Sequence, residues 1–373
     1  MASVASIDSL VLDLPPSCVE FWPLDPEYAV VGTYNLEQSN DSEEKTESAT
    51  ERPQSRNGSL ILIHSSADLI LSKIVQTLST PFAILDVHFT PTQHGNPHLI
   101  GAASSTGSLA LYELRRPDSN ASALEHQPQL EHVQTLQYVP ENTLITAFAW
   151  HPTSANVVGI TLSSGEVMVC STKGNDAQAN LVSLPSHELE AWTLAFQPDG
   201  NGLLSGGDDS VLRYCKMFDE QMDSRSTWAD RRIHGAGVTA VLPLGRDIVI
   251  TGSYDDHIRI IHAPSVGRKI VLAEMNLGGG VWRLKTLSEP ATLLAENSEN
   301  SVEVLLLVSC MHAGARIVKI LKNLESWSFE VLAKFEEHKS MNYGSDVQPN
   351  HHGKSRTLIS TSFYDRLICL WSL

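Results

Sequence analysis

Two residues of the segment SCMHAGARIVK carry the sharpest chemical suggestion in the chain. Cys310 and His312 stand two positions apart, which on an extended segment puts both side chains on one side. A thiol within reach of an imidazole can act as a nucleophile, or the imidazole can instead activate water. A buried small cysteine next to a solvated turn histidine is the competing account. A second group is aromatic and acidic: Tyr254, Trp282, Tyr343 and Tyr364, with Asp208 and Asp255. Aromatic faces attract cations that lack hydrogen-bond donors, each contact contributing about 0.5–2 kcal/mol, and nearby carboxylates add to the attraction. The same rings could equally line a protein-binding rim. Such a set suits the binding or transformation of a small cationic group.

The common enzyme signatures are absent. No G-x-S-x-G elbow occurs, because Ser205 in GLLSG has the wrong glycine spacing. A G-x-x-x-x-G-K-[ST] loop is missing, and HELEAW (187–192) lacks the second histidine of a zinc-protease helix. Gly278-Gly279-Gly280 is a bare glycine run ahead of a strand. From motifs alone the chain would be a non-catalytic interaction scaffold.

What gathers residues so far apart is a repeat. Seven alternating segments recur: GSLILIHS (58–65), TGSLALYEL (106–114), SGEVMVCS (164–171), DDSVLRYCK (208–216), DDHIRIIHA (255–263), HAGARIVKI (312–320) and YDRLICLWS (364–372). Apolar stretches such as AVVGTY, HLIGAAS, GLLSGG and TLISTS precede them, and CVEFWP, ILDVHFTP, ITAFAWHP or AWTLAFQP lie further upstream. Period-two alternation with β-branched enrichment specifies strands. Four-stranded units of roughly 40–45 residues specify an all-β, seven-bladed WD-repeat propeller, a single domain over 1–373. No intact WD dipeptide is present, the nearest being Trp371-Ser372, but TGSYDDHIRI and STSFYDRLICLW lie near the repeat consensus. The C-terminus ends on a third strand, and SIDSLVLDL (6–14) is available to supply the missing fourth, hiding an edge that would otherwise invite aggregation. Residues 36–57 are polar, charged and nearly free of apolar residues, so they read as a disordered insertion in the first blade. Residues 115–134 and 288–303 read as longer surface loops.

In a propeller, the turns between second and third strands and the loops leading into first strands share one mouth of the central channel. That brings His187, Glu188, Asp208, Asp209, His234, Tyr254, Asp255, Trp282, Cys310, His312, Tyr343, Asp346, Tyr364 and Asp365 onto one face. Structural roles compete for several of them. Asp209, Asp255 and Asp365 occupy the turn where a WD-repeat carboxylate accepts hydrogen bonds from turn amides and a loop histidine. His187 and His234 stand where that histidine lies, and Trp192 is expected to pack between blades. His312 occupies a turn position where neighbouring blades carry Asp, and an imidazole cannot reproduce a carboxylate's double acceptance.

Composition narrows the partners. Forty-three acidic against 26 basic residues give a formal charge of −17, which repels phosphate backbones and disfavours direct nucleic-acid binding and anionic membranes. The five scattered cysteines (Cys18, Cys170, Cys215, Cys310, Cys369) form no C-x-x-C pair and suit a reducing compartment. MASVASIDSL lacks the basic and apolar regions of a secretory leader, and no apolar run approaches the roughly 18 residues that span a bilayer. The expectation is a cytoplasmic monomer without a resident cofactor or metal.

HELEAW, SGGDDSVLR, TGSYDDHI, GGVWRLK, CMHAG, YGSD and SFYD follow one another in successive blades. In that register the chain resembles the diphthine methyl ester hydrolases, also called diphthine methyltransferases. The match is clearest over 186–373 and thinner before it, where WPL, GTYNL and AILDVHF carry it. The resemblance implies hydrolysis of the methyl ester on the modified histidine of translation elongation factor 2, giving diphthine for amidation to diphthamide. That side chain carries a trimethylammonium group beside the ester, which the aromatic and acidic mouth would receive. His312 with Cys310 is then the favoured catalytic pair, with His187 and His234 behind it. The rival reading is a WD-repeat adaptor holding a partner across the same mouth. A literal methyltransferase is disfavoured, because no glycine-rich strand-to-helix turn for a nucleotide-like donor is present.

Overall fold

Each of the predicted strand trios is joined by a fourth strand, and the resulting meander repeats around an axis. In a computed structural model, residues 2–37, 55–65, 73–116, 127–174, 181–217, 227–245, 247–287, 301–323, 326–349 and 356–373 are described. The second blade is typical: Ile84–Phe89, Leu99–Ser104, Ser108–Arg115 and Gln129–Gln137, each antiparallel to the strand before. Inner strands of the other blades begin at Pro16, Ile145, Ala191, Val238, Arg283 and Ser345, giving seven sheets among the described residues. The strand next to the inner one is packed on both faces by neighbouring blades. Gly202–Gly207, Ile248–Ser253 and Thr357–Ser362 are therefore buried throughout, whereas the outermost Ile270–Asn276 alternates toward solvent. Blade stacking is close enough that a β-carbon on Gly252 would lie 2.2 Å from Val281 Cγ1 of the next blade.

Closure follows the expected plan and exceeds it. Asp8–Val11 pairs antiparallel with the C-terminal Leu367–Ser372, placing Leu10 opposite Ile368. Ala2–Val4 then runs parallel to Ser326–Phe335, the outer strand of the sixth blade. One N-terminal segment thus clasps two blades. Two readings change. Gln129–Gln137 and Ser301–Ser309 are strands, so 129–134 and 301–303 do not belong to the loops placed at 115–134 and 288–303, of which 117–126 and 288–300 lie outside the described residues. Residues 38–54 of the 36–57 insertion lie outside the described residues; its ends continue the ladder, with Asn35–Leu36 paired to Arg56 and Asn57. Among the described residues no helix is long and apolar enough to cross a membrane.

A histidine latch recurs. His187 Nε2 meets Ser205 Oγ at 2.9 Å, His234 Nε2 meets Thr251 Oγ1 at 2.9 Å, and His338 Nε2 meets Ser360 Oγ at 2.7 Å. In the seventh blade Trp371 Nε1 also donates to Ser360 Oγ at 3.0 Å. Burial pushes the His234 and His338 imidazoles down to about 4, so both are neutral in the fold. The unfolded chain takes up those protons near pH 6.5, so it binds more protons than the fold between about pH 6.5 and 4. The melting temperature is therefore expected to fall as pH drops through that window, and less steeply in His338→Gln. Thermal denaturation at stepped pH measures it; equal slopes in the two proteins would remove His338 from the account.

Candidate functional site

The channel mouth is built largely from two positions that recur from blade to blade. The first follows the second strand, where a backbone N–H donates to the carbonyl just ahead of the inner strand. Tyr34, Ser105, Ser163, Asp208, Tyr254 and Phe363 all hold this place, donating to Pro15, Ala83, Leu144, Glu190, Gly237 and Met341 at 2.9–3.0 Å. The second is a bulge at the start of the inner strand. In three blades the bulged residue is Ser17, Thr146 or Thr239, whose hydroxyl ties onto a carbonyl of the next blade (Ile84, Ala191 and Val281). In the fourth blade it is Trp192. A bulge re-aims its side chain, and here the tie is replaced by an indole directed over the channel.

Trp192 reaches Trp282 of the sixth blade, with ring centroids 5.5 Å apart, passing the fifth blade. Trp282 lies 6.1 Å from Tyr254 and 5.0 Å from Tyr343. The arc continues through Phe363, 5.4 Å from Tyr343 and 6.2 Å from Tyr34 of the first blade. Aromatic side chains from blades four, five, six, seven and one therefore converge, while Ser105 and Ser163 occupy the remaining side. Asp208 sits in the arc and accepts the Trp192 indole N–H at 2.8 Å. Burial pushes its carboxyl above the usual range, and the charges of Glu190 and Asp209 push the same way. Gly237 leaves it room: a β-carbon there would lie 2.8 Å from Asp208 Oδ1 and 2.9 Å from the Tyr254 ring. The Tyr254 phenol is raised by burial and by Asp208, with Arg283 opposing.

Below the mouth, charged side chains on inner strands line the channel. Asp86 and His88 share a face of one strand, as do Arg283 and Lys285 of another. His88 contacts Glu20 at 2.8 Å and Asp86 at 3.2 Å. Burial alone would lower its pKa, but the two carboxylates raise it to about 10, so the imidazole is a cation at neutral pH. Arg283 Nη2 lies 3.6 Å from Asp86 Oδ1, joining the sixth blade to the second, and its guanidinium stands 5.3 Å from the Trp282 centroid. Lys285 pairs with Asp346, whose other oxygen accepts the Phe21 N–H at 2.7 Å. Burial disfavours the Lys285 charge, but Asp346 and Glu20 outweigh it and hold the amine charged.

Of the residues singled out in the sequence, Tyr254, Trp282, Tyr343 and Asp208 meet at the mouth. Tyr364 is peripheral, 70% exposed and stacked edge-on to Phe363 at 5.1 Å. Asp255 is engaged elsewhere: Arg259 holds it at 2.8 Å, it accepts the Gly235 N–H at 2.8 Å, and these bonds bring its carboxyl down to about 2 despite burial. The histidine readings are corrected. Both ring nitrogens of His187 are occupied, by Asp209 at 2.8 Å and by Ser205, with no side-chain exposure, and His234 is buried in its latch. Neither can take a proton from a ligand at the mouth. The Cys310–His312 pair also fails. Cys310 is fully buried in the apolar core with Ile258 and Val281, its thiol pushed up to about 12 by burial, while His312 is exposed on the following turn. A thiol held protonated is a poor nucleophile. Native protein treated with iodoacetamide at pH 8 should therefore leave Cys310 unmodified in peptide mass spectrometry, whereas unfolded protein reacts; native labelling would restore the thiol as a candidate.

Trp192 was read as packing between blades and not as part of the mouth, and Phe363, Tyr34 and the channel charges other than Asp346 were not anticipated. Their signals are present in the sequence: Trp192 stands where sister blades carry Ser or Thr, and D-x-H (86–88) and R-x-K (283–285) put charge into inner strands.

Residues 178–214, spanning the outer strand of the third blade and the first three strands of the fourth, match the family model "WD domain, G-beta repeat". The chain is similar over nearly its whole length to proteins named diphthine methyltransferase. That of Schizosaccharomyces pombe is 27% identical over 96% of this chain and 95% of its own. That of Saccharomyces cerevisiae is 27% identical over 98% and 97%. Among solved structures, a chain of "Crystal Structure of Mitotic Checkpoint Complex" superposes with a TM-score of 0.64 at 12% identity, covering 100% of this chain and 93% of that one, a likeness of fold. The names of the homologues are those of a methyl-group enzyme of diphthamide biosynthesis.

Proposed function

We propose, taking the full-length similarity to the diphthine methyltransferases as premise, that this chain hydrolyses the methyl ester of diphthine methyl ester on translation elongation factor 2. The observation that carries the reading is the convergence of Trp192, Tyr254, Trp282 and Tyr343 around Asp208. A trimethylammonium group has no hydrogen-bond donor, so ring faces and a partly desolvated carboxylate are the groups that can select it. With the ammonium seated, the adjacent ester carbonyl is fixed at the mouth. Asp208 takes the proton from the attacking water, and its raised pKa makes it a stronger base than an ordinary carboxylate. The four rings supply binding, and the buried histidines play no part in the proton transfer.

The test is mass spectrometry of elongation factor 2 bearing diphthine methyl ester, incubated with purified protein and no cofactor. Loss of one methylene's mass, with release of methanol, is the expected result. Unchanged mass with retained binding would favour an adaptor, and neither change nor binding would end the reading. Within it, Trp282→Ala should raise KM by about 2–30-fold, the equivalent of one cation–π contact of about 0.5–2 kcal/mol, with kcat less affected. Steady-state kinetics separates the two; an unchanged KM would move the ammonium away from Trp282.

A further inference from the structure

We infer that Arg283 is a catalytic residue of this mouth, receiving the ester carbonyl oxygen as it gains negative charge and then the carboxylate of the product. The inference rests on the hydrolytic reading and adds to it the group that stabilises the oxyanion.

A receptor for an ammonium group alone has no use for a guanidinium in its wall, because the two repel. Arg283 nonetheless lies against Trp282, one of the walls, and acts on the Tyr254 phenol in opposition to Asp208. The mouth therefore offers negative charge and positive charge to one ligand. A trimethylammonium next to an ester that becomes a carboxylate matches that division, and a simple cation does not.

The contacts of Arg283 also differ from those of the two tightly clamped arginines, Arg259 and Arg316. Arg259 is clamped by Asp255 at 2.8 Å and Glu274 at 3.1 Å, and Arg316 meets Glu336 at 2.7 Å. Arg283 has Asp86 at 3.6 Å and the Trp282 carbonyl at 3.4 Å. Two long contacts fix the plane of the guanidinium but do not exhaust its five donors. Asp86 is itself shared with His88 and the Phe148 N–H, so it orients Arg283 without fully neutralising it. Asp86 and His88 are positioning residues in this scheme.

The step balances as follows. The water oxygen attacks the carbonyl carbon, its proton passes to Asp208, and the carbonyl π pair moves onto the oxygen facing Arg283. That pair re-forms the carbonyl as the bond to the methoxy oxygen breaks. The departing methoxide takes the proton from Asp208 and leaves as methanol. The new carboxylic acid loses its proton to solvent and remains as a carboxylate against Arg283.

The test compares wild type, Arg283→Met and Arg283→Lys on elongation factor 2 bearing the ester, with circular dichroism to check the fold. Arg283→Met should lower kcat by about 10²–10³ with little change in KM. Inhibition by elongation factor 2 bearing the free acid should weaken by roughly tenfold or more, which a purely structural role would not produce. Arg283→Lys, which keeps the charge but not the fork, should lose less in kcat than Arg283→Met yet stay below wild type. If Arg283→Met does not fold, the Lys variant decides, and wild-type kcat there overturns the inference. So does a folded Arg283→Met with kcat within a few-fold of wild type and unaltered product inhibition. An inactive wild type would instead bring down the hydrolytic reading, and this inference with it.

Discussion

Asp208→Asn is expected to lower kcat by about 10²–10⁴ while leaving KM within a few-fold of wild type. The carboxamide has nearly the shape of the carboxylate and keeps an oxygen to accept the Trp192 indole N–H, so the aromatic arc holds its geometry. What it loses is the capacity to take a proton. The pH dependence supplies a second readout. Because burial raises the Asp208 pKa, its basic form predominates only above that raised value, and the wild-type rate should fall as pH drops through it. The residual rate of the Asn variant should lack that limb. If Asp208 served only as a counter-charge to the ammonium, KM would rise, kcat would hold and the acid limb would persist. Full kinetics across pH on both proteins decides between the two.

Deleting residues 2–12 is expected to destabilise the propeller by several kcal/mol and to make it aggregate. Leu12 is 3% exposed and packs with Val19, Ile359 and Ile368, and burying one such side chain contributes about 1.5–3 kcal/mol. The deletion also strips two ladders, leaving the edges of Leu367–Ser372 and Ser326–Phe335 without partners. Against a total stability of about 5–15 kcal/mol, this is a large share. An open apolar edge such as LICLWS then recruits another chain. Scanning fluorimetry with light scattering measures both effects. The control is Val11→Ser, a residue already 66% exposed, which should change neither. A truncated protein that melted with wild type and stayed monodisperse would deny the clasp its role.

The blades were legible because each strand type carries its own burial pattern, and turns such as GGDD and SYDD mark the junctions. The mouth was legible where a chemically unusual residue sits in such a turn, as with Asp208 and Tyr254. Trp192 was hidden because AWTLAF reads as an ordinary apolar strand, and only the bulge between Ala191 and Thr193 turns the indole out. The Cys310–His312 pairing failed for a backbone reason. The strand ends at Ser309, so the period-two rule has no strand to act on, and Met311 at φ 44° turns the chain between the two residues. His187 was legible together with its carboxylate partner, Asp209, whereas Asp255 was legible as a type but not by its partner. Whether a turn carboxylate meets its histidine or an arginine four positions on depends on which reaches it, and Arg259 reaches Asp255.

The pair between Arg283 and Asp86 spans blades on opposite sides of the axis. Below the aromatic face, the bore is therefore bridged by charged side chains. On the hydrolytic reading, a substrate that is a single side chain of a large protein enters from the aromatic face and leaves by it. Methanol is small enough to slip past, but the trimmed side chain can withdraw only when the whole macromolecule lifts away. Turnover would then be paced by how long two proteins stay together, so raising ionic strength, which loosens encounters steered by charge, should hasten each departure even as it slows each arrival.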